Sequence, residues 1–283
     1  MAVQVTEHGV QTPQGRLFAR VWMPVNAAPE GAASPTIPTT SASPIEPHLA
    51  GAFVLLHDSL GCVDLWRDFP ETLAQATGKP VVAYDRLGYG RSDAAHGLPP
   101  ADFVAREGQA GLRPVLDQLH ISRAILLGHS VGGGMAVNAA VQMPDRIQAV
   151  ITVAAQAFPE DRTLKAIAEA KVQFQDDAQL ARLRKYHGDK ARWVVDAWTD
   201  SWLSPAFASW HVRDVLPQVQ CPLFALHGEH DEYGTAVHPQ IYAELNGGPS
   251  RMLLLPSAYH LPHREKPAEV AELVRGFVAE QLG

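Results

Sequence analysis

The apolar run Ala124-Ile125-Leu126-Leu127 passes without a spacer into Gly128-His129-Ser130-Val131-Gly132, and then into Gly133-Gly134-Met135-Ala136. A short apolar run bounded by turn residues reads as a buried strand, and the small-residue stretch after it reads as a helix. The G-x-S-x-G pattern therefore sits on a sharp strand-to-helix turn. Glycine two residues to either side leaves room for a strained serine backbone that side chains there would obstruct. The turn lifts the hydroxyl clear of the sheet, and backbone N–H groups at the helix start face the same point. Ser130 is thus the candidate nucleophile. A glycine-rich turn with an incidental serine is the bland alternative, and the flanking strand and helix weigh against it.

The strand before Ser130 has companions. Phe53–Leu56, Val81–Tyr84, Ala149–Val153, Leu223–Leu226 and Met252–Leu255 are likewise short and continuously apolar, as expected of strands covered on both faces of a parallel sheet. Val3–His8 and Leu17–Trp22 flank the turn Thr12-Pro13-Gln14-Gly15 and read as an edge hairpin. Helical patterns at Phe69–Thr77, Phe103–Leu119 and Ala268–Gln281 alternate with strands. The fold class expected is α/β: a mostly parallel central sheet of about eight strands, flanked by helices. Residues 1–157 and 211–283 form its core. Residues 158–210, charged, helical in pattern and containing Trp193, Trp198, Trp202 and Trp210, interrupt the rhythm and read as an inserted helical cap over the sheet's C-terminal edge, where open α/β sheets bind ligands. Residues 26–50, rich in Ala, Pro, Ser and Thr, hold too little apolar surface to offset their ordering entropy and read as a flexible surface insertion.

Composition narrows the partners. With 23 basic and 30 acidic residues the formal net charge is −7, and no basic patch marks a nucleic-acid partner. Two cysteines, Cys62 and Cys221, make no disulfide framework for 283 residues. No run approaches the ~18 apolar residues of a membrane span, and the first residues lack the basic and apolar regions of a signal peptide. A cytoplasmic location is the default expectation. Thirteen histidines invite a metal site, but none falls in H-E-x-x-H or C-x-x-C spacing; no metal is expected.

A serine hydroxyl attacks poorly until a base takes its proton. Histidine suits that task because its unperturbed pKa of ~6.5 lies near neutrality, and a carboxylate fixes its tautomer. Two segments offer such groups after apolar runs. His227-Gly228-Glu229-His230-Asp231-Glu232 holds three acids, and Tyr259-His260-Leu261-Pro262-His263-Arg264-Glu265-Lys266-Pro267 holds two histidines. An aspartate beside a turn glycine is also a common turn cap.

With these motifs the chain resembles the α/β-hydrolase family over nearly all its length, the 26–50 insertion and the cap aside. The resemblance implies the order Ser130, Asp231, His260. Asp231 falls on the strand–G-x-x-D position, with Glu229 and Glu232 as weaker neighbours. His260, Glu265 and Pro267 fall on the family's G-H-x-x-x-x-E-x-P pattern, with Tyr259 where glycine is usual and His263 as rival base. His57-Asp58-Ser59-Leu60-Gly61 is similar to the His-Gly-x-x-Gly loop, with Asp58 where glycine is usual. By position the backbone N–H groups of Ser59 and Val131 form an oxyanion hole, and His57 orients the loop. Asp85-Arg86-Leu87-Gly88-Tyr89-Gly90-Arg91-Ser92 matches a structural D-x-x-G-x-G-x-S stretch. The activity implied is acyl-enzyme hydrolysis of a carboxylic ester of a small or medium-sized molecule, without a cofactor. Amide or carbon–carbon cleavage, or cofactor-free perhydrolysis, would use the same triad. A non-catalytic ligand-binding receptor is the reading from another class. Oligomeric state stays open.

Overall fold

The computed structural model describes residues 1–25 and 49–283. The insertion expected at 26–50 lies, but for its last two residues, outside the described residues.

The eight apolar runs are eight strands of one sheet: β1 Ala2–Thr12, β2 Gly15–Val25, β3 Ala52–Leu56, β4 Val81–Tyr84, β5 Ala124–His129, β6 Ile147–Val153, β7 Leu223–Gly228 and β8 Ser250–Leu255. Their order is β1-β2-β4-β3-β5-β6-β7-β8. β1 and β2 pair antiparallel from Ala2↔Val25 to Thr12↔Gly15, and β2 joins β4 antiparallel. Every later pairing, from β4 through β8, is parallel. The hairpin strands run well beyond the expected cores, because their outer halves pair through backbone and need no apolar residues.

Alternate side chains of β3 divide the core between the faces. Val54 and Leu56 pack with Val104, Leu116, Met135 and Val137, beneath α2 (Phe103–Glu107), α3 (Arg113–Gln118) and α4 (Val131–Gln142). Phe53 and Leu55 pack with Phe69, Leu73, Val270 and Val274 of α1 (Phe69–Thr77) and the C-terminal α10 (Pro267–Leu282). The helix expected over Phe103–Leu119 is interrupted by a π-turn at Gly108–Leu112. Pro114 lacks the N–H that a regular helix requires, and the wider turn absorbs the defect.

Between β6 and β7 lie α5 (Asp161–Gln173), α6 (Asp177–His187) and α7 (Ala191–Trp202); α8 (Val237–Leu245) follows β7, and the one-turn α9 (Pro262–Glu265) precedes α10. The Asp85 stretch is structural, as expected. Asp85 accepts from the N–H groups of Val63 at 2.6 Å and Arg91 at 2.7 Å, and Ser92 links its hydroxyl to Asp85 O and Phe18 N–H. Burial nevertheless pushes the Asp85 carboxyl up to about 6. Among the described residues no helix is long and apolar enough to cross a membrane.

Candidate active site

The turn after β5 has the strain its glycines imply. Ser130 lies at φ 54°, ψ −124°, a conformation that costs a non-glycine residue about 1–3 kcal/mol. A Cβ on Gly128 would come within 2.2 Å of Gly132 O, and one on Gly132 within 2.2 Å of Leu56 O. Both clashes are with backbone, so neither position can yield. The Ser130 N–H donates to Val153 O at 2.9 Å, locking the elbow to β6. The hydroxyl donates to Gln156 Oε1 at 3.0 Å.

Asp231 sits three residues past β7, where Gly228 lets the loop containing His260 approach. A Cβ there would lie 2.1 Å from Tyr259 O. Asp231 Oδ1 accepts from the N–H groups of Tyr233 and Gly234 at 2.7 and 3.2 Å. Its two oxygens lie 3.0 and 2.9 Å from His260 Nδ1, and His227 Nε2 is 3.1 Å from Oδ2. Burial opposes the Asp231 charge, but the two histidines and their hydrogen bonds prevail and hold the carboxyl far below the usual carboxylate range. Burial likewise opposes a charged His260, and Asp231 outweighs it, raising His260 above its ordinary value. With Nδ1 donating to a carboxylate, the neutral ring keeps its lone pair on Nε2.

The neighbouring acids take other positions. Glu229 accepts from Ser257 N–H and Glu232 from His260 N–H, so only Asp231 meets the imidazole. Glu265 receives the N–H groups of Tyr259 and Leu261 at 2.7 and 3.0 Å, bracketing His260 from both sides. His263, the rival base, is buried and packed against Trp66 and His129, with ring centroids 4.8 and 4.6 Å apart. Burial first, then His129, pushes it well below its ordinary value.

Past β3, Arg86 N–H donates to His57 Nε2 at 3.1 Å, so His57 Nδ1 carries the hydrogen and donates to Asp58 O at 2.7 Å. Burial and the Arg86 charge hold His57 neutral, well below its usual value. It orients the loop. Arg86 Nη2 also donates to Asp58 O at 2.7 Å. Ser59 N–H has no acceptor among the described residues. Val131 is the first residue of α4, where an N–H has no intrahelical partner.

Ser130, Ser59 and His260 line one cavity of about 340 Å³, walled on its apolar side by Leu60, Leu65, Ile167, Leu183, Trp198 and Trp202. The geometry brings Asp231 onto His260. It does not join Ser130 to His260, because the hydroxyl is turned to Gln156, and among the described residues no hydrogen bond links the two. Gln156 escapes a reading of the sequence, since glutamine after an alanine pair is unremarkable; only its place just past the end of β6 hints at it. Trp193 and Trp210 stay off this cavity: Trp193 donates to Gly97 O, and Trp210 stacks on Phe207. Among the described residues no group of three or more His, Cys, Asp or Glu side chains is placed to hold a metal ion, and both cysteines are free thiols.

A family model described as the alpha/beta hydrolase fold matches residues 51–191. The human protein named serine hydrolase BPHL is 28% identical over 234 residues, covering 80% of this chain and 79% of that protein. An uncharacterized protein of Mycobacterium tuberculosis is 34% identical over 110 residues, 39% of this chain, which thereby spans 30% of that relative's length. Among solved structures, a hydrolase from Pseudomonas aeruginosa superposes with a TM-score of 0.69 at 20% identity, over 96% of this chain and 98% of that one. The enol-lactonase from Burkholderia xenovorans gives 0.65 at 20% identity, over 96% and 100%. With the sheet order and these matches together, the chain belongs to the α/β-hydrolase fold family.

Proposed function

We propose that this chain is a serine hydrolase that cleaves carboxylic esters of small or medium-sized molecules through an acyl-enzyme. Ser130 is the nucleophile, His260 the base and Asp231 the residue that holds His260. The observation that carries the reading is the His260 ring, its Nδ1 bound to Asp231 and its Nε2 left with a lone pair, in the same cavity as a serine on a strained elbow.

The hydroxyl first turns from Gln156 to His260. As Ser130 attacks the carbonyl carbon, His260 takes its proton, and Asp231 stabilises the imidazolium without accepting that proton. Oxyanion charge develops toward the Ser59 and Val131 N–H groups; one such donor is worth about 2.7–4 kcal/mol in the transition state. His260 then protonates the departing alcohol, and water repeats the sequence against the acyl-enzyme. Residues 158–210 serve as the cap: Ile167, Leu183, Trp198 and Trp202 come from its helices and face the bound molecule. A cavity of this size and apolar lining suits a compact apolar acyl group.

Turnover of p-nitrophenyl acetate, measured beside the Ser130→Ala variant, tests the proposal. Wild-type turnover that the variant lacks is the expected result. Equal rates in both, or tight binding of small molecules with no turnover in either, would overturn it, the latter in favour of a receptor.

A further inference from the structure

Asp58 stands one residue before Ser59, and His129 one residue before Ser130. Their side chains meet: His129 Nδ1 lies 3.1 Å from Asp58 Oδ2, and His129 Nε2 lies 2.8 Å from the carbonyl oxygen of His260. A carbonyl oxygen only accepts, so Nε2 carries a hydrogen and donates. An ionised carboxylate also only accepts, so Nδ1 must donate as well. Asp58 Oδ1 meanwhile accepts from Leu60 N–H at 2.8 Å. Burial raises the Asp58 carboxyl, but the His129 hydrogen bond and charge outweigh it and hold the group below the usual carboxylate range. Both contacts thus ask His129 to donate, and an imidazole ring donates through both nitrogens at once only as the imidazolium.

We propose that the Asp58 carboxylate and the His129 imidazolium form a fixed ion pair that joins the oxyanion loop to the backbone of the proposed base and cancels the charge Asp58 would otherwise present to the oxyanion. This rests on the serine-hydrolase reading. Asp58 lines the cavity, and a bare carboxylate beside a developing oxyanion opposes it strongly where water is excluded. An unpaired imidazolium would in turn oppose the charge that His260 gains, its ring centroid being 5.1 Å away. Paired, the two leave both reacting charges undisturbed. The other ionisable groups around the pair are the side chains of His57 on the same loop, Arg86 and Tyr89 after β4, His187 of α6, Tyr233 after β7, His260, and His263 and Arg264 of α9. None of them contacts either charged end within hydrogen-bond distance among the described residues, so the pair is closed on itself. Asp58 and His129 are positioning residues; neither exchanges a proton with substrate.

Two measurements test the proposal. Nitrogen-15 NMR of the wild-type chain at pH 7, with the His129 signals identified by their loss in His129→Ala, should show both ring nitrogens protonated. A neutral-tautomer pattern would overturn the proposal whether or not any ester is turned over, which separates its failure from failure of the hydrolase reading. In kinetics with p-nitrophenyl acetate, His129→Ala leaves Asp58 unneutralised and should lower kcat more than it raises KM. Adding Asp58→Asn to that variant should restore kcat by about tenfold, the size of coupling expected between residues in contact. A role in packing alone gives no such recovery, since asparagine returns none of the lost imidazole contacts. A double variant as slow as His129→Ala would overturn the charge-cancelling role.

Discussion

Of the proposed catalytic side chains, Asp231 is held by more hydrogen bonds than its own chemistry uses, and that redundancy sets what its substitution should do. Asp231 receives two backbone N–H groups besides two histidines. Asp231→Asn should keep the loop in place yet present the wrong tautomer to His260, lowering kcat roughly 10⁴-fold with little change in KM; steady-state kinetics on a refolded, spectroscopically intact variant checks it. His260 acts as a base only when neutral, and Asp231 raises its pKa. The acid limb of kcat/KM should therefore have its midpoint above the ordinary histidine value of ~6.5, with activity present above that midpoint and lost below it. A midpoint under 6 would contradict the assignment. Gln156 competes with His260 for the Ser130 hydroxyl. A hydrogen bond of this kind is worth about 0.5–1.5 kcal/mol, so Gln156→Leu should speed covalent labelling of Ser130 roughly two- to tenfold; slower labelling would mean that the amide assists the nucleophile. Asp231 and His260 were legible as residues because they follow strand ends in a known order. Gln156 and the Asp58–His129 contact were not, because they join loops 26 and 71 positions apart, and nothing local in the sequence specifies such a meeting.

The elements follow the hydrophobic pattern wherever burial dictates the residue. β3, β4, β5 and β7 are buried along their whole length, and these are the strands whose continuous apolar runs stand out in the sequence. β1 and β8 expose much of their surface, so their ends follow backbone pairing and extend past the apolar residues. The π-turn at Gly108–Leu112 arises from one proline within a helical run, a detail periodicity does not resolve. Between elements, the glycines of the elbow are fixed by contact. Gly132→Ala drives a methyl group to 2.2 Å from Leu56 O, and because backbone on both sides must move, a loss of about 3 kcal/mol or more is expected in denaturant unfolding. Asp85→Ala should cost about 2–4 kcal/mol by stranding the Val63 and Arg91 N–H groups. Stability of either variant equal to wild type would show that the loops relax freely.

At the scale of the molecule, two buried carboxyls pull the pH dependence of stability in opposite directions. Asp231 is held below its unfolded value, so its contribution is present above about pH 4 and lost as pH falls. Asp85 is raised to about 6, so its ionisation weakens the fold as pH rises from about 4 to about 6, and adds no further slope beyond that. The mostly parallel sheet with its edge hairpin followed from the spacing of strands and helices; the strand order and the shape of the cavity did not, the latter because α5, α6 and α7 must first pack before Leu183, Trp198 and Trp202 can share a wall. The most direct measurement of the central claim is mass mapping of the chain after exposure to a serine-directed fluorophosphonate. The adduct should fall on the peptide containing Ser130, vanish in Ser130→Ala and form far more slowly in His260→Ala. An adduct on another residue, or labelling of Ser130 at an undiminished rate without the His260 imidazole, would contradict it.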